Sequence, residues 1–248
     1  MNTTTLLVVT CVGVAIMILL SISARHSALQ LPSNGSTSKA SSVTVTEHKG
    51  ANGYVVRELH GLLTKEECHE LMTLAKNQGL EDSSVWSFKT RTGNVYDGTH
   101  RRSKQTWLKR ESTETTEKVS QMSTLLTGIP QHHQESLQIA MYEKNGMFNP
   151  HFDACQDEDP SYCEKMNHGS GERRTTLLIY LNDDFQGGET EFVEIGVKIK
   201  PEAGKGILFY STYEDETIIP QSKHQGCPVL AGEKWICTVW SHSKEFKV

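Results

Sequence analysis

Residues 137–153 read LQIAMYEKNGMFNPHFD, and this stretch decides the fold class. Two short runs rich in apolar and aromatic residues, Leu137 to Tyr142 and Phe148 to Asp153, flank an Asn145-Gly146 turn signal. That is the texture of neighbouring strands rather than of one helix. Four further runs repeat it: Thr175 to Leu181, Val197 to Lys200, Gly206 to Tyr210 and Lys234 to Trp240, each bounded by Gly, Pro, Asn or Asp. Many short strands with turn signals indicate a sandwich or barrel, not alternating βαβ units.

Upstream the period changes. Thr64-Lys65-Glu66-Glu67 has the spacing of a capping box, and Cys68, Leu71, Leu74 and Ala75 then share one helical stripe before Gly79. A second helix is expected from Ser112 or Thr113, presenting Val119, Met122, Leu125 and Leu126 before Gly128 and Pro130. Both stripes read as core packing. The expected architecture is therefore mainly β with flanking helices, a closed β core carrying a helical layer on its outside. No GxGxxG or phosphate-loop pattern opens a helix, so a nucleotide-binding fold has no support.

The domain spans residues 54–248, preceded by two segments of different character. Leu6 to Leu20 is apolar except for Thr10 and Gly13, with length between a signal-peptide core and a bilayer span of about 20 residues. Residues 1–24 are read as a signal peptide or a transmembrane signal anchor, with small residues Ser21, Ser23 and Ala24 at a cleavage position. Arg25 follows the run and no Lys or Arg precedes it, so an uncleaved anchor would place the bulk of the chain in the cytosol by charge count. Residues 25–53 are read as a polar flexible linker because Ser, Thr, Gly, Asn and charges dominate it. Asn34-Gly35-Ser36 is a glycosylation acceptor if it reaches a lumen. The expected location is the secretory pathway, in the endoplasmic reticulum or Golgi lumen, membrane-anchored if the segment stays attached.

Charge narrows the partners. The 25 Lys and Arg against 30 Asp and Glu give a net charge of -5, leaving no basic surplus for a phosphate backbone, so nucleic acid is not expected. Of 6 cysteines, Cys11 lies in the apolar run, and the spacing of the others matches no thiolate zinc site. In an oxidising lumen Cys155 and Cys163 can bridge the polar segment between Asp153 and Ser170, the expected lid or peptide-facing loop, and Cys227 or Cys237 can pair elsewhere; the spacing leaves the pairing open.

His151-Phe152-Asp153 carries the chemistry. In a strand alternate side chains share a face, so the imidazole and the carboxylate point the same way. His224-Gln225-Gly226, after a polar turn, supplies a second imidazole. Two His and one carboxylate leave three octahedral positions open, the arrangement that oxygen-activating Fe(II) requires; zinc takes the same donors.

Five ordered blocks resemble the prolyl 4-hydroxylase branch of the 2-oxoglutarate and Fe(II) dependent dioxygenases, of the compact plant, algal and viral type. They are Arg101-Arg102-Ser103-Lys104-Gln105-Thr106-Trp107-Leu108, His151-Phe152-Asp153, Arg173 to Asn182, Gly187 to Phe192, and His224 to Val229 followed by Gly232-Glu233-Lys234-Trp235. The resemblance implies a double-stranded β-helix, or jelly-roll, with iron ligands at His151, Asp153 and His224. It implies that Lys234 binds 2-oxoglutarate, with Tyr142 and Thr176 also on its carboxylate. An ammonium inside a barrel suits that role, because desolvation strengthens its pairing with an anion. Trp235 is read either as a wall of the substrate pocket or as core.

The implied reaction hydroxylates peptidyl proline at C4 with Fe(II), O2 and 2-oxoglutarate, releasing succinate and CO2, with L-ascorbate keeping the iron reduced. The partner is a proline-containing polypeptide, and no disulfide-isomerase partner is expected for so short a chain. Two alternatives stay open: a related dioxygenase acting on another residue or a small molecule, and a silent peptide-binding module on the same barrel.

Overall fold

The computed structural model describes residues 7–11, 14–18, 27–30, 42–86 and 94–247. The strands that build the domain are β1 (Ser42–Lys49), β2 (Val55–His60), β3 (Lys104–Leu108), β4 (Leu137–Tyr142), β5 (Met147–His151) and β6 (Arg173–Tyr180). They continue with β7 (Thr190–Phe192), β8 (Val197–Ile199), β9 (Gly206–Tyr210), β10 (His224–Gly226) and β11 (Lys234–His242). Three helices accompany them: α1 (Lys65–Gln78), α2 (Glu114–Thr127) and α3 (Pro160–Met166).

Two antiparallel sheets form the jelly-roll. The larger runs β1-β2-β9-β6-β11-β4-β3, with short edge segments at Ser27–Gln30 and Glu81–Asp82. The smaller runs β8-β7-β10-β5, with Arg101–Arg102 at its edge. Strand alternation then sorts the side chains. Ile139 and Met141 of β4, Leu177 and Ile179 of β6, and Trp235, Cys237 and Val239 of β11 face one core with Cys68, Leu71 and Ala75 of α1. Their neighbours Ala140, Tyr142, Leu178, Tyr180 and Ile236 face a second core with Phe192, Ile199, Phe209 and Val229. The site opens beside this second core, inside the roll.

The capping box forms as expected: Thr64 Oγ1 accepts from the Glu67 amide at 3.2 Å, and the Thr64 amide donates to Glu67 Oε2 at 2.8 Å. In α2 the expected stripe holds for Val119, Met122 and Leu126, which packs partly buried against the core, and fails at Leu125. Val119 and Met122 are buried, whereas Leu125 is 41% exposed and Ser120 and Ser123 take the buried face. Their hydroxyls bond Gln134 and Ser241, so the helix docks on a polar seam that apolar periodicity does not reveal.

One N-terminal expectation is corrected and another finds no support. Residues 25–53 are not linker throughout: β1 pairs with β2 from Thr44–His60 to Lys49–Val55, and Val43 is 1% exposed. The alternation of Val43 and Val45 within a polar stretch is a strand pattern that bulk composition conceals. The parts of the apolar run that are described, Leu7–Cys11 and Val14–Ile18, pair antiparallel. Among the described residues no helix is long and apolar enough to cross a membrane, so the transmembrane expectation is unsupported. Asn34 and the cleavage residues Ser21, Ser23 and Ala24 lie outside the described residues.

Candidate active site

β5 and β10 are paired so that His151 sits directly across from His224, with ring centroids 4.3 Å apart. Asp153 follows two residues on and turns its carboxylate between them. His151 Nε2 lies 3.8 Å from Asp153 Oδ1, and His224 Nε2 lies 3.9 Å from Asp153 Oδ2. One donor atom from each residue falls within 4.8 Å of the other two.

The tautomers suit a cation. His151 Nδ1 is 2.7 Å from the Asn149 carbonyl and His224 Nδ1 is 3.0 Å from the Ser222 carbonyl. A carbonyl only accepts, so each Nδ1 carries the proton and each Nε2 offers its lone pair to the common point. Burial, with His224 alongside, holds His151 well below its usual range, keeping it a neutral ligand. Burial pushes the Asp153 carboxyl up, but His224, His151 and Arg173 outweigh it and keep the group ionised. Phe148 stacks on His151 at 3.5 Å and 12° and fixes the ring plane. Two imidazoles, one carboxylate and no thiolate fit Fe(II) with open coordination positions.

Thr176 lines the same cavity, but its hydroxyl donates to Asp153 Oδ2 at 2.6 Å. The role expected for it, on the cosubstrate carboxylate, is therefore corrected to orienting the acidic donor. Lys234 is the first residue of β11 and stands opposite Tyr142 of β4, so both enter the cavity from one face. It is 2% exposed, its Nζ lies 5.3 and 5.5 Å from the Tyr142 and Tyr180 rings, and no carboxylate forms an ion pair with it among the described residues. Burial pushes its ammonium down to about 8. Gly188 makes room for it: φ is +70°, and a Cβ there would meet Lys234 Cδ at 3.0 Å.

Thr190 is a residue that the sequence reading missed. It is 1% exposed, lines the cavity and accepts from Tyr180 Oη at 2.7 Å, which leaves its own proton for a ligand. Its place just after Gly187-Gly188-Glu189 was the available signal. Trp235 is corrected in the other direction. One residue from Lys234 on the same strand, it faces the α1 core, 3% exposed with Lys76 Nζ 5.0 Å from its ring. Strand alternation excludes it from the cavity that Lys234 enters.

A polar and aromatic wall borders the metal end. Arg101, 6% exposed, donates from Nε to Ser103 Oγ at 2.9 Å and from Nη2 to Gln138 Oε1 at 3.1 Å. The Trp240 indole N–H is buried without a partner, and the Arg173 guanidinium lies 3.8 Å from that ring. Arg173 is itself fixed by Glu135, at 2.5 and 3.0 Å, and His242 bonds the same carboxylate at 2.9 Å. Burial alone would raise the Glu135 carboxyl, but Arg173 and His242 hold it down to about 2.

Comparison with known proteins gives the same direction. The model of the 2OG-Fe(II) oxygenase superfamily matches residues 137–242. The chain is 34% identical over 208 residues to a probable prolyl 4-hydroxylase 3 of Arabidopsis thaliana, covering 76% of this chain and 69% of that one. It is 32% identical over 189 residues to a putative prolyl 4-hydroxylase of Acanthamoeba polyphaga mimivirus, covering 76% and 74%. Among solved structures, the viral collagen prolyl hydroxylase of Paramecium bursaria Chlorella virus-1 with 2OG superposes with a TM-score of 0.59 at 27% identity, covering 76% of this chain and 96% of that one.

Proposed function

Because the chain belongs to the prolyl 4-hydroxylase family of the 2-oxoglutarate and Fe(II) dependent oxygenases, we infer that it hydroxylates peptidyl proline at C4. It does so with O2 and 2-oxoglutarate, releasing succinate and CO2. The observation that carries this reading is a three-donor cluster sharing one cavity with a buried ammonium that no carboxylate pairs among the described residues.

Iron, when bound, would supply the redox chemistry of O2 and 2-oxoglutarate that the side chains cannot. The chain supplies grip and order. His151, Asp153 and His224 hold the ion, the Asn149 and Ser222 carbonyls hold the imidazoles, and Thr176 holds the carboxylate. Such outer partners keep ligands in place and tune their basicity.

Lys234, with Tyr142 and Thr190 beside it, receives the far carboxylate of 2-oxoglutarate. A Cβ built on Gly226 would lie 3.9 Å from Lys234 Nζ, and Gly226 is two residues from His224 on one strand. Two residues of strand rise about 7 Å, the reach of a five-carbon diacid. Leu178 and Ile236 add apolar walls to the cavity, and a low dielectric around the ammonium–carboxylate pair would strengthen it.

The peptide approaches along the wall of Arg101, Gln138 and Trp240. Trp240 lines the cavity, and an aromatic ring suits packing against proline. Hydroxyproline-rich secreted proteins are the proposed substrates, ascorbate the proposed reductant, and an oxidising lumen the proposed location. The Cys155–Cys163 disulfide supports that location, since such bonds persist outside the cytosol.

The test is mass spectrometry of proline-rich peptides incubated with the protein, Fe(II), 2-oxoglutarate and O2. One added oxygen on proline, lost in His151→Ala and Asp153→Ala, is expected. Succinate release without proline modification would redirect the reading to another substrate, and no succinate at all would end it.

A further inference from the structure

The barrel leaves the two ends of one loop to be fastened by other means. Ladder pairing of β5 ends at the His151–His224 pair, so Asp153 lies past the last paired residue. Pairing resumes at Arg173, opposite His242 on β11. Between them the chain carries α3, a helix of 7 residues capped by Asp159 and too short to persist alone.

Cys155 and Cys163 are joined across this segment and are 6% and 8% exposed. The Cys155 amide donates to Glu172 Oε2 at 2.9 Å. One contact thus ties the two feet together: Cys155 stands two residues from Asp153, and Glu172 precedes the Arg173 that stacks on Trp240. From the C-terminal end, the Ser243 amide donates to the Glu172 carbonyl at 2.9 Å and the Lys244 amide to the Ser170 carbonyl at 3.0 Å. Neither cysteine belongs to the two apolar cores, so the bond braces the loop without contributing to the barrel interior.

We propose that the Cys155–Cys163 disulfide is a positioning element of this site. It holds Asp153 at the metal and Arg173 against Trp240, and its reduction loosens metal and peptide binding while the barrel stays folded. The peptide half rests on the hydroxylase reading; the metal half requires only the three-donor cluster.

Reduction by a trialkylphosphine is balanced as follows. The phosphorus attacks one sulfur, the S–S bond breaks, and water supplies two protons and one oxygen, giving two thiols and a phosphine oxide. Cys68, Cys227 and Cys237 are already thiols and are unchanged.

The full chain is titrated with Co(II) as a spectroscopic stand-in for iron in three states: oxidised, phosphine-reduced after desalting, and re-oxidised. Hydrogen exchange over residues 152–173 and the thermal midpoint are followed in parallel. Reduction should weaken Co(II) binding about tenfold, as loss of an outer-shell restraint does, and re-oxidation should restore it. A Cys155→Ser/Cys163→Ser double variant should match the reduced state. Exchange should rise in 152–173 and stay slow in β4, β6 and β11.

Equal Co(II) affinity in oxidised and reduced protein would overturn the proposal. So would reduction that unfolds the whole chain, because the bond would then be a global brace. If Co(II) binds neither form, the metal reading fails instead, and unchanged exchange over 152–173 on reduction would sink the positioning role by itself.

Discussion

Two threonines, fourteen residues apart, face different ends of the site. Thr176 bonds Asp153, and Thr190 keeps a free proton in the cavity with Lys234. Thr176→Val should therefore weaken Co(II) binding about tenfold and leave 2-oxoglutarate affinity of the metal-loaded protein nearly unchanged. Thr190→Val should do the reverse, raising the KM for 2-oxoglutarate several-fold; calorimetry with each ligand separates the two. Lys234 makes that affinity pH-dependent. Its ammonium, pushed to about 8 by burial, is charged below that pH and neutral above it. Only the charged form pairs with a carboxylate, so 2-oxoglutarate binding should weaken as pH climbs through 8 and take up protons there, an effect absent in Lys234→Met. The stability sign follows from the same shift. An exposed lysine titrates near about 10.4, so between about 8 and 10.4 the unfolded chain holds a proton that the folded chain has released. The penalty for burying Lys234 without cosubstrate is therefore full below pH 8 and relieved as pH rises toward 10.4.

At the scale of the element, β11 shows how a single strand divides its labour. All nine residues from Lys234 to His242 are buried, yet Lys234, Ile236, Thr238 and Trp240 line the site while Trp235, Cys237 and Val239 pack under α1. Trp235→Ala should cost about 3–5 kcal/mol of stability by emptying a core position, read as a lower denaturant midpoint, with the KM for peptide unchanged in the folded fraction. Trp240→Ala should raise the KM for peptide at least tenfold, because one ring serves both the Arg173 stack and the cavity wall. The run of apolar residues marked β11 as a buried strand. Which of its two tryptophans meets the cavity follows from the parity set by Lys234, and that parity has meaning only once Lys234 is inside. The buried face of α2 was less legible, since Ser120 and Ser123 are held by Gln134 and Ser241 from distant segments.

For the whole molecule the larger sheet reaches further toward the N-terminus than the composition suggests. β1 lies inside the stretch read as linker, and its Val43 belongs to the main core. A chain starting at Gly50 should melt several degrees lower than the full chain, because Val43 and the β1–β2 ladder are gone; scanning calorimetry of the two decides it. The two sheets bring together groups far apart in sequence: β5 and β10 face His151 to His224, and β4 and β11 face Tyr142 to Lys234. The metal end and the ammonium end of the site thus share one cavity, a property of the assembled roll.

The order of strand and helix periods, the capping box, the HxD spacing and the distal His and Lys blocks are local patterns, and the amino-acid sequence alone determined them. Backbone sterics and side-chain chemistry act over a few residues, so such patterns survive without the fold. The partners of Thr176, Thr190, Trp235 and Ser120 were decided only by tertiary structure. Each depends on which face of an element meets which neighbour across the roll, a relation between segments that no single stretch of chain contains.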